Sequence, residues 1–453
     1  MRTESRRPAW LGWFYDLQIG RKQMIAMVVC ELIPILGLGV GSTVVLVSSL
    51  RAQLLSQAKS EVAVTEANYN VKVNQMGFGS RGQSDNPVIV NAAKVSQQGQ
   101  SLANDAQNQV KQILQNEVKA RQIEYATLVS KDLQIIANAN KNRVGEKIAS
   151  GNLANLIKQS IAGGQQIKAS EILSKEELSR EAPPLSEGAS SADALIRYVI
   201  TPIKDPENQD VIGVLIFGDI VNGKLSIAEN TLKAFGTGYS AVYLRYPNGE
   251  FALSTSLYKT FLNQQTDPQS RVPLPDTSVL AAAAQAKGEA VTQRLSIGGQ
   301  TYTIAAKAVP NRIVEHPDGA IPVYSEDAIA LLVRGTPEAV LDQVLSSSLQ
   351  QEAIVLILSL GVIIGWSLLF RRTVLKPIQQ LERATQDFAQ GDRSVRAEVF
   401  SRDEVGQLTI AFNRMAENIA ETEQILSTEA SRQEHQAKEA RALTDITVQM
   451  RDR

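Results

Sequence analysis

The chain is 453 residues long, more than one hydrophobic core usually organises, so two or three folded units joined by helices are expected. Its 46 Lys and Arg against 47 Asp and Glu leave a net charge of −1, without the cationic excess that binding to a nucleic-acid backbone needs. One cysteine, Cys30, and two histidines, His316 and His435, exclude a disulfide framework and multi-thiolate metal sites and leave little for imidazole chemistry; no metal or cofactor is expected.

Behind a tail at 1–23, the first element is an apolar run at 24–50, uncharged except for Glu31 and long enough to cross a bilayer. A second uncharged run at 353–370 has the same capability and stops at Arg371-Arg372. No small-residue cleavage site follows the first run, so it reads as a retained anchor rather than a signal peptide. Arg2, Arg6, Arg7, Arg21 and Lys22 precede the first span, while Arg371, Arg372 and Lys376 follow the second. Because Lys and Arg stay on the cytoplasmic side, both ends are expected inside and residues of about 51–352 outside, in a periplasm. The expected place is therefore the inner (plasma) membrane, crossed twice.

Residues 51–121 read as a stalk helix, a break at Gly77, Gly79, Gly82 and Asn86-Pro87, and a second polar helix. Strand signals then come in pairs. Runs at 123–129 and 133–139 flank Ser130-Lys131-Asp132, and after a mostly helical stretch, runs at 196–203 and 211–219 flank a polar loop. Within that stretch Ser174 and Glu177 form a capping box. The plan repeats at 239–246 and 250–255 around Pro247-Asn248-Gly249, a helix near 277–286, and 291–297 with 300–308 around Gly298-Gly299. Two units, 122–222 and 223–335, are thus expected, each an antiparallel sheet with helices over a concave pocket.

This order, behind a membrane-anchored stalk, resembles the extracellular double PAS-like (Cache-type) sensor of bacterial receptors. Amino-acid-binding members carry an Arg and Trp-Tyr pattern in the distal pocket, which is absent here: Trp10, Trp13 and Trp366 lie in or beside the spans. Candidate ligand residues are Tyr125, Asn138, Arg197, Tyr198 and Asp219 in the first unit and Tyr239 and Tyr243 in the second. Each also reads as an ordinary strand residue, since alternation shows which residues share a face but not which face is inward. His316, near Glu315 and Asp318, lies in what reads as a surface loop.

Thr336-Pro337-Glu338 reads as an N-cap, a first-turn proline and a first-turn acid, so an outgoing helix at 336–352 is expected to run into the second span. In 371–424, apolar residues recur by fours and threes, including Ile378, Leu381 and Phe388 behind Pro377 and ending at Gly391. After a connector, Asp403-Glu404-Val405-Gly406 opens a second seam of Leu408, Phe412 and Met415. Two such helices cannot bury their stripes alone and are expected to form a parallel four-helix bundle in a homodimer. The early Pro377, Gly391, and the Glu404 and Gly406 turn directly after a membrane span closely resemble a HAMP domain.

A helical extension occupies 425–453, where His435 reads as a solvated residue rather than a phosphoacceptor. Its last residues resemble the helix entering a GAF domain in cyanobacterial chemotaxis and phototaxis receptors. The whole reads as an α+β membrane protein that performs no catalysis: a homodimeric receptor input half in the lipid bilayer, sensing a periplasmic small molecule. The resemblance implies the chemotaxis coupling protein and histidine kinase as partners, through domains beyond this sequence. The alternative is the input half of a sensor histidine kinase or diguanylate cyclase.

Overall fold

A computed structural model describes residues 12–15, 17–148, 151–185, 192–260, 268–325 and 327–451. The chain divides into two compact units: residues 45–346, and residues 1–44 together with 347–453.

In chain order, α1 (Gly12–Tyr15) precedes the 66-residue α2 (Ile19–Ser84), α3 (Pro87–Gln97) and α4 (Asn104–Arg121). There follow β1 (Tyr125–Ser130), β2 (Ile135–Asn138), α5 (Gly151–Gly163), β3 (Ile167–Leu173), α6 (Lys175–Glu181), β4 (Ala194–Lys204) and β5 (Val211–Ile220). Next come α7 (Ser226–Phe235), β6 (Gly238–Arg245), β7 (Phe251–Lys259), β8 (Gln269–Ser270), α8 (Ser278–Gln285), β9 (Val291–Ile297) and β10 (Gln300–Ala308). The hairpin β11 (Arg312–His316) and β12 (Gly319–Val323) leads to β13 (Ala330–Pro337). The chain continues as α9 (Ala339–Phe370), a π-helical turn (Arg371–Leu375), α10 (Lys376–Ala389) and α11 (Glu404–Arg451). Among the described residues, α2 and the stretch from Leu341 to Ala389 are long and apolar enough to cross a membrane.

The repeat expected from the sequence is present in the topology. The first sheet runs β12-β11-β3-β4-β5-β1-β2 and the second β8-β7-β6-β13-β10-β9. Numbering the five principal strands of each sheet in chain order gives third-fourth-fifth-first-second in both. Each sheet is covered on both faces. On the first, Met76, Ile89 and Leu114 of the N-terminal helices pack against Leu128, Leu215 and Phe217, while Ile157 and Leu178 of α5 and α6 pack on Ile196, Val214 and Ile216. On the second, α8 covers Tyr239, Tyr302 and Leu331, and Ala58, Val62 and Tyr69 of α2 cover Val242, Leu244 and Leu332.

Four expectations are corrected. The stalk does not break at Gly77, Gly79 and Gly82; α2 runs to Ser84, and the break falls at Asn86, whose Oδ1 caps α3 by accepting from the Val88 amide at 3.0 Å. Gly79 instead makes room, since a Cβ there would lie 2.1 Å from the Arg121 guanidinium carbon. β3 lies inside the stretch read as helical. The segment around His316 is not a loop but a hairpin that leaves the second repeat and pairs with β3 of the first sheet, Arg312 opposite Ala169. Thr336 and Pro337 close β13, with Thr336 opposite Thr303, and the outgoing helix starts two residues after Pro337, at Ala339.

Candidate functional site

β4 and β5 pair so that Arg197 stands opposite Asp219 and Tyr198 opposite Gly218. Alternation therefore sends Arg197 and Asp219 to one face of the first sheet and Tyr198 to the other. Arg197 points toward α2: its Nη1 donates to the Tyr69 carbonyl, and its guanidinium lies 4.8 Å above the Tyr69 ring. Its Nε and Nη2 donate to Asp219 Oδ2, the former at 3.0 Å. Lys224, just beyond β5, donates to Asp219 Oδ1 at 2.6 Å and to Glu124 Oε2 at 2.8 Å, and the Ile220 amide donates to the same Glu124 oxygen at 2.8 Å.

Burial pushes the Asp219 carboxyl up, but Arg197 and Lys224 together hold it below its ordinary value. Glu124, also buried, is raised by desolvation and by Asp219, with Lys224 only partly offsetting this. This network borders a cleft of about 630 Å³ between α2, α4 and the start of α7. Lys72 lines the cleft and donates to the Arg121 carbonyl at 2.8 Å; burial lowers its pKa, the carboxylates of Asp219 and Glu124 oppose this, and Lys224 and Arg197 add to it.

On the opposite face, Tyr125 and Tyr198 meet edge to face at 5.6 Å. Gly218 leaves room for them, because a Cβ there would come within 2.9 Å of Tyr125 Cβ. Asn138 reaches the Lys141 carbonyl and Glu181, and its Oδ1 accepts from the Arg143 amide at 3.2 Å. Arg143 gathers three carboxylates, Glu146 at 2.9 Å, Glu177 at 2.6 Å and Glu181 at 3.0 Å. Glu171 is a buried carboxyl bonded to Asn152, and desolvation pushes it up to about 7.

Tyr239 and Tyr243 belong to the second sheet. Their hydroxyls lie 3.1 Å apart, Tyr239 donates to the Val272 carbonyl at 2.9 Å, and the Leu274 amide donates to Tyr243 at 2.7 Å. Both are core side chains packed under α8. The seven candidate residues thus fall into three places: Arg197 with Asp219 at the cleft, Tyr125, Tyr198 and Asn138 behind the sheet, and the two tyrosines in the other sheet. Sequence reading missed Lys72, Glu124, Lys224, Arg143 and Glu171, because each is brought in by a loop, a stalk helix or an unrecognised strand.

In the other unit, the π-helical turn precedes Pro377. The Lys376 amide reaches back five residues to the Arg371 carbonyl, which accommodates a proline that can neither donate nor tolerate a normal carbonyl four residues earlier. Leu381, Ala384 and Phe388 pack against Ala397, Phe412 and Ala416, with the Phe388 and Phe412 rings edge to face at 6.1 Å. Gly391, at φ 108°, turns the chain out of α10. Asn413 holds the connector by accepting from the Ala397 amide at 2.9 Å and donating to its carbonyl at 2.8 Å. Asp403 caps α11 through the Val405 and Gly406 amides, both at 3.0 Å, and Gly406 is required because a Cβ would lie 1.8 Å from the Ser401 carbonyl oxygen. Of the expected relay residues, Pro377, Leu381, Phe388, Gly406 and Phe412 are buried and Ile378 is half-buried. Gly391, Glu404, Leu408 and Met415 are exposed, Leu408 by 59% and Met415 by 47%. The second seam therefore splits between an inward and an uncovered face.

Among curated proteins, the chain is 27% identical over 218 residues to the sensor histidine kinase MtrB of Mycobacterium tuberculosis, covering 44% of this chain and 34% of that protein. It is 45% identical over 65 residues to the methyl-accepting chemotaxis protein McpC of Bacillus subtilis, covering 14% of this chain and 10% of the relative. The chain thus spans about a third or less of these relatives' length. Among solved structures, the sensor domain of the Vibrio cholerae histidine kinase DctB aligns with a TM-score of 0.34 at 13% identity, over 63% of this chain and 98% of that one. Residues 369–421, the π-turn, both amphipathic helices and the connector between them, match the HAMP domain family.

Proposed function

We propose that the chain is the input part of a homodimeric transmembrane receptor of the chemotaxis or phototaxis type, anchored in the inner membrane with residues of about 51–352 in the periplasm. The paired sheets sense a small molecule, and α9 carries the change into the HAMP segment. The chain performs no catalysis; domains of the GAF and methyl-accepting kind, as in cyanobacterial receptors, would pass the signal to the chemotaxis coupling protein and its histidine kinase. The observation that carries this reading is the HAMP match beginning at residue 369, at the end of a long apolar helix, with Leu408 and Met415 uncovered on the second HAMP helix. A second copy would cover that face and complete a four-helix bundle whose two packings are the signalling states. The 27% identity to a sensor histidine kinase supports the second reading, an input half coupled to a kinase core.

The test is cysteine crosslinking in native membranes, in a Cys30→Ser background carrying Met415→Cys. Rapid disulfide-linked dimer formation is expected, together with protease cleavage between 51 and 352 from the periplasmic side only. A chain that stays monomeric at every HAMP position tried, or is cut from the cytoplasmic side, would overturn the reading.

A further inference from the structure

The cleft of about 630 Å³ beside α2 has a charge balance that its own residues leave open. Its wall carries four cations, Lys72, Lys119, Arg197 and Lys224, against a single lining carboxylate, Glu124. Asp219 lies behind the wall and is fully buried. Arg197 is used by Asp219 and by the Tyr69 carbonyl, and Lys224 lies between Asp219 and Glu124. Those four groups form a closed, electrically balanced set.

Lys72 and Lys119 are left over. Lys72 is half-buried and its bonding partner is a neutral carbonyl, that of Arg121, while burial already lowers its pKa. Lys119 is exposed and has no ion pair among the described residues. Asp219 and Glu124 favour the Lys72 ammonium from a distance but are already paired with Arg197 and Lys224, so burial still lowers its pKa, and an anion in direct contact would complete it. The rest of the wall supplies neutral hydrogen-bonding groups, Asn68, Gln75 and Asn230 among them.

We propose that this cleft binds a small dianion, its acidic groups between Lys72 and Lys119 and its neutral part against the amide side chains. The proposal deepens the sensing reading and rests on it for the consequence of binding, though not for binding itself. The occupant would touch α2 and the Lys224–Ile227 corner. Ile227 is buried with Val242 and Leu244, so occupancy on the first sheet bears directly on the second.

The experiment is thermal unfolding and equilibrium titration of the full chain in lipid nanodiscs with inorganic phosphate, phenyl phosphate and malonate, and with chloride and acetate at matched ionic strength. At least one dianion should raise the melting temperature above the monoanion controls, and the three arms separate free phosphate, a phosphate ester and a dicarboxylate. Lys72→Gln should weaken that dianion's binding by about tenfold or more. If Lys72→Gln folds poorly, Lys119→Gln, at an exposed position, should weaken it without loss of fold, whereas Lys94→Gln, paired with Asp205 outside the cleft, should not. Equal shifts from mono- and dianions, no shift from any dianion, or undiminished binding in both cleft variants would overturn the proposal. None of these outcomes bears on the HAMP crosslinking test above.

Discussion

The two sheets share one strand order and differ in what they bury. The first holds ionised groups on both faces, Arg197 with Asp219 toward α2 and Arg143 with Glu177 and Glu181 toward α6. The second buries tyrosine, alanine and leucine beneath α8, and its deeply buried ion pair, Glu61 with Arg334 at 2.7 Å, joins it to α2. Buried charges seldom add net stability over a packed apolar core, but they fix geometry and respond to a nearby charge. The first sheet therefore carries fixed, chemically distinct charges on both of its faces. The second is fixed against α2 by the Glu61–Arg334 pair and is otherwise apolar beneath α8.

The largest expected effect lies at the mechanical joint. Arg334 has its Nε on Glu61, its other nitrogens on the Thr237 and Tyr239 carbonyls, and Thr336 donates to the same Glu61 oxygen at 2.8 Å. Arg334→Leu strands a buried carboxylate and should cost about 3–5 kcal/mol, lowering the melting temperature by on the order of 10 °C. Adding Glu61→Leu should recover much of the loss, because the stranded charge goes with it. A single variant that melts with the parent would erase the contrast between the sheets.

Next is Arg197→Leu in the first sheet. Asp219 keeps Lys224 at 2.6 Å, so its charge is not abandoned, and the expected loss is smaller, about 2–3 kcal/mol by chemical denaturation. Were this variant worse than Arg334→Leu, the closed set around Asp219 would not be the redundant network its geometry describes.

How far such residues can be found by reading the chain depends on what partners them. The hairpin turns were legible because their chemistry is local: Gly298 and Gly299 both take positive φ, at 59° and 80°. The first HAMP helix and Asp403-Glu404-Val405-Gly406 were legible for the same reason. β3 was not, since Lys168, Ser170 and Glu171 break its apolar signal, and their partners Asn74, Tyr69 and Asn152 are distant in sequence or lie on another element. The hairpin β11–β12 hid as a loop because its neighbour strand lies more than a hundred residues earlier. For the candidate site, Arg197 and Tyr198 were read together as candidates, but as adjacent strand residues they face opposite ways; β-pairing set Asp219 against Arg197, and the stalk helix delivered Lys72.

Glu171 gives a pH test of the same contrast. Its carboxyl sits at about 7 in the fold against an ordinary 4.5, so the folded chain holds this proton more tightly than the unfolded one. The stability it supports is complete below about pH 4.5 and is lost as pH rises through 7. Glu171→Gln keeps a neutral partner for Asn152, and should raise stability at pH 8 by about 2 kcal/mol while changing little at pH 4. Glu124 and Glu181 share this sign, so the diagnostic quantity is the difference between variant and parent across the pH series. A parallel offset at every pH would remove Glu171 as the titrating group.

The smallest effect compares one helix start over each sheet. Ser174 caps α6 by accepting from the Glu177 amide at 3.2 Å, while the Lys175 amide is taken by Asp193 at 2.9 Å. α6 has seven residues, too short to hold itself, and carries Glu177 and Glu181 one turn apart to Arg143. Ser174→Ala should cost about 1 kcal/mol, felt as fraying of the turn that presents those carboxylates. Thr277 occupies the same position before α8 and makes no side-chain cap; that helix is held by Val279, Leu280 and Ala283 on the second sheet. Thr277→Ala should therefore stay within about 0.5 kcal/mol of the parent. Paired denaturation curves that reverse this order would mean that the first sheet is also held by apolar packing alone, with its polar groups incidental to its stability.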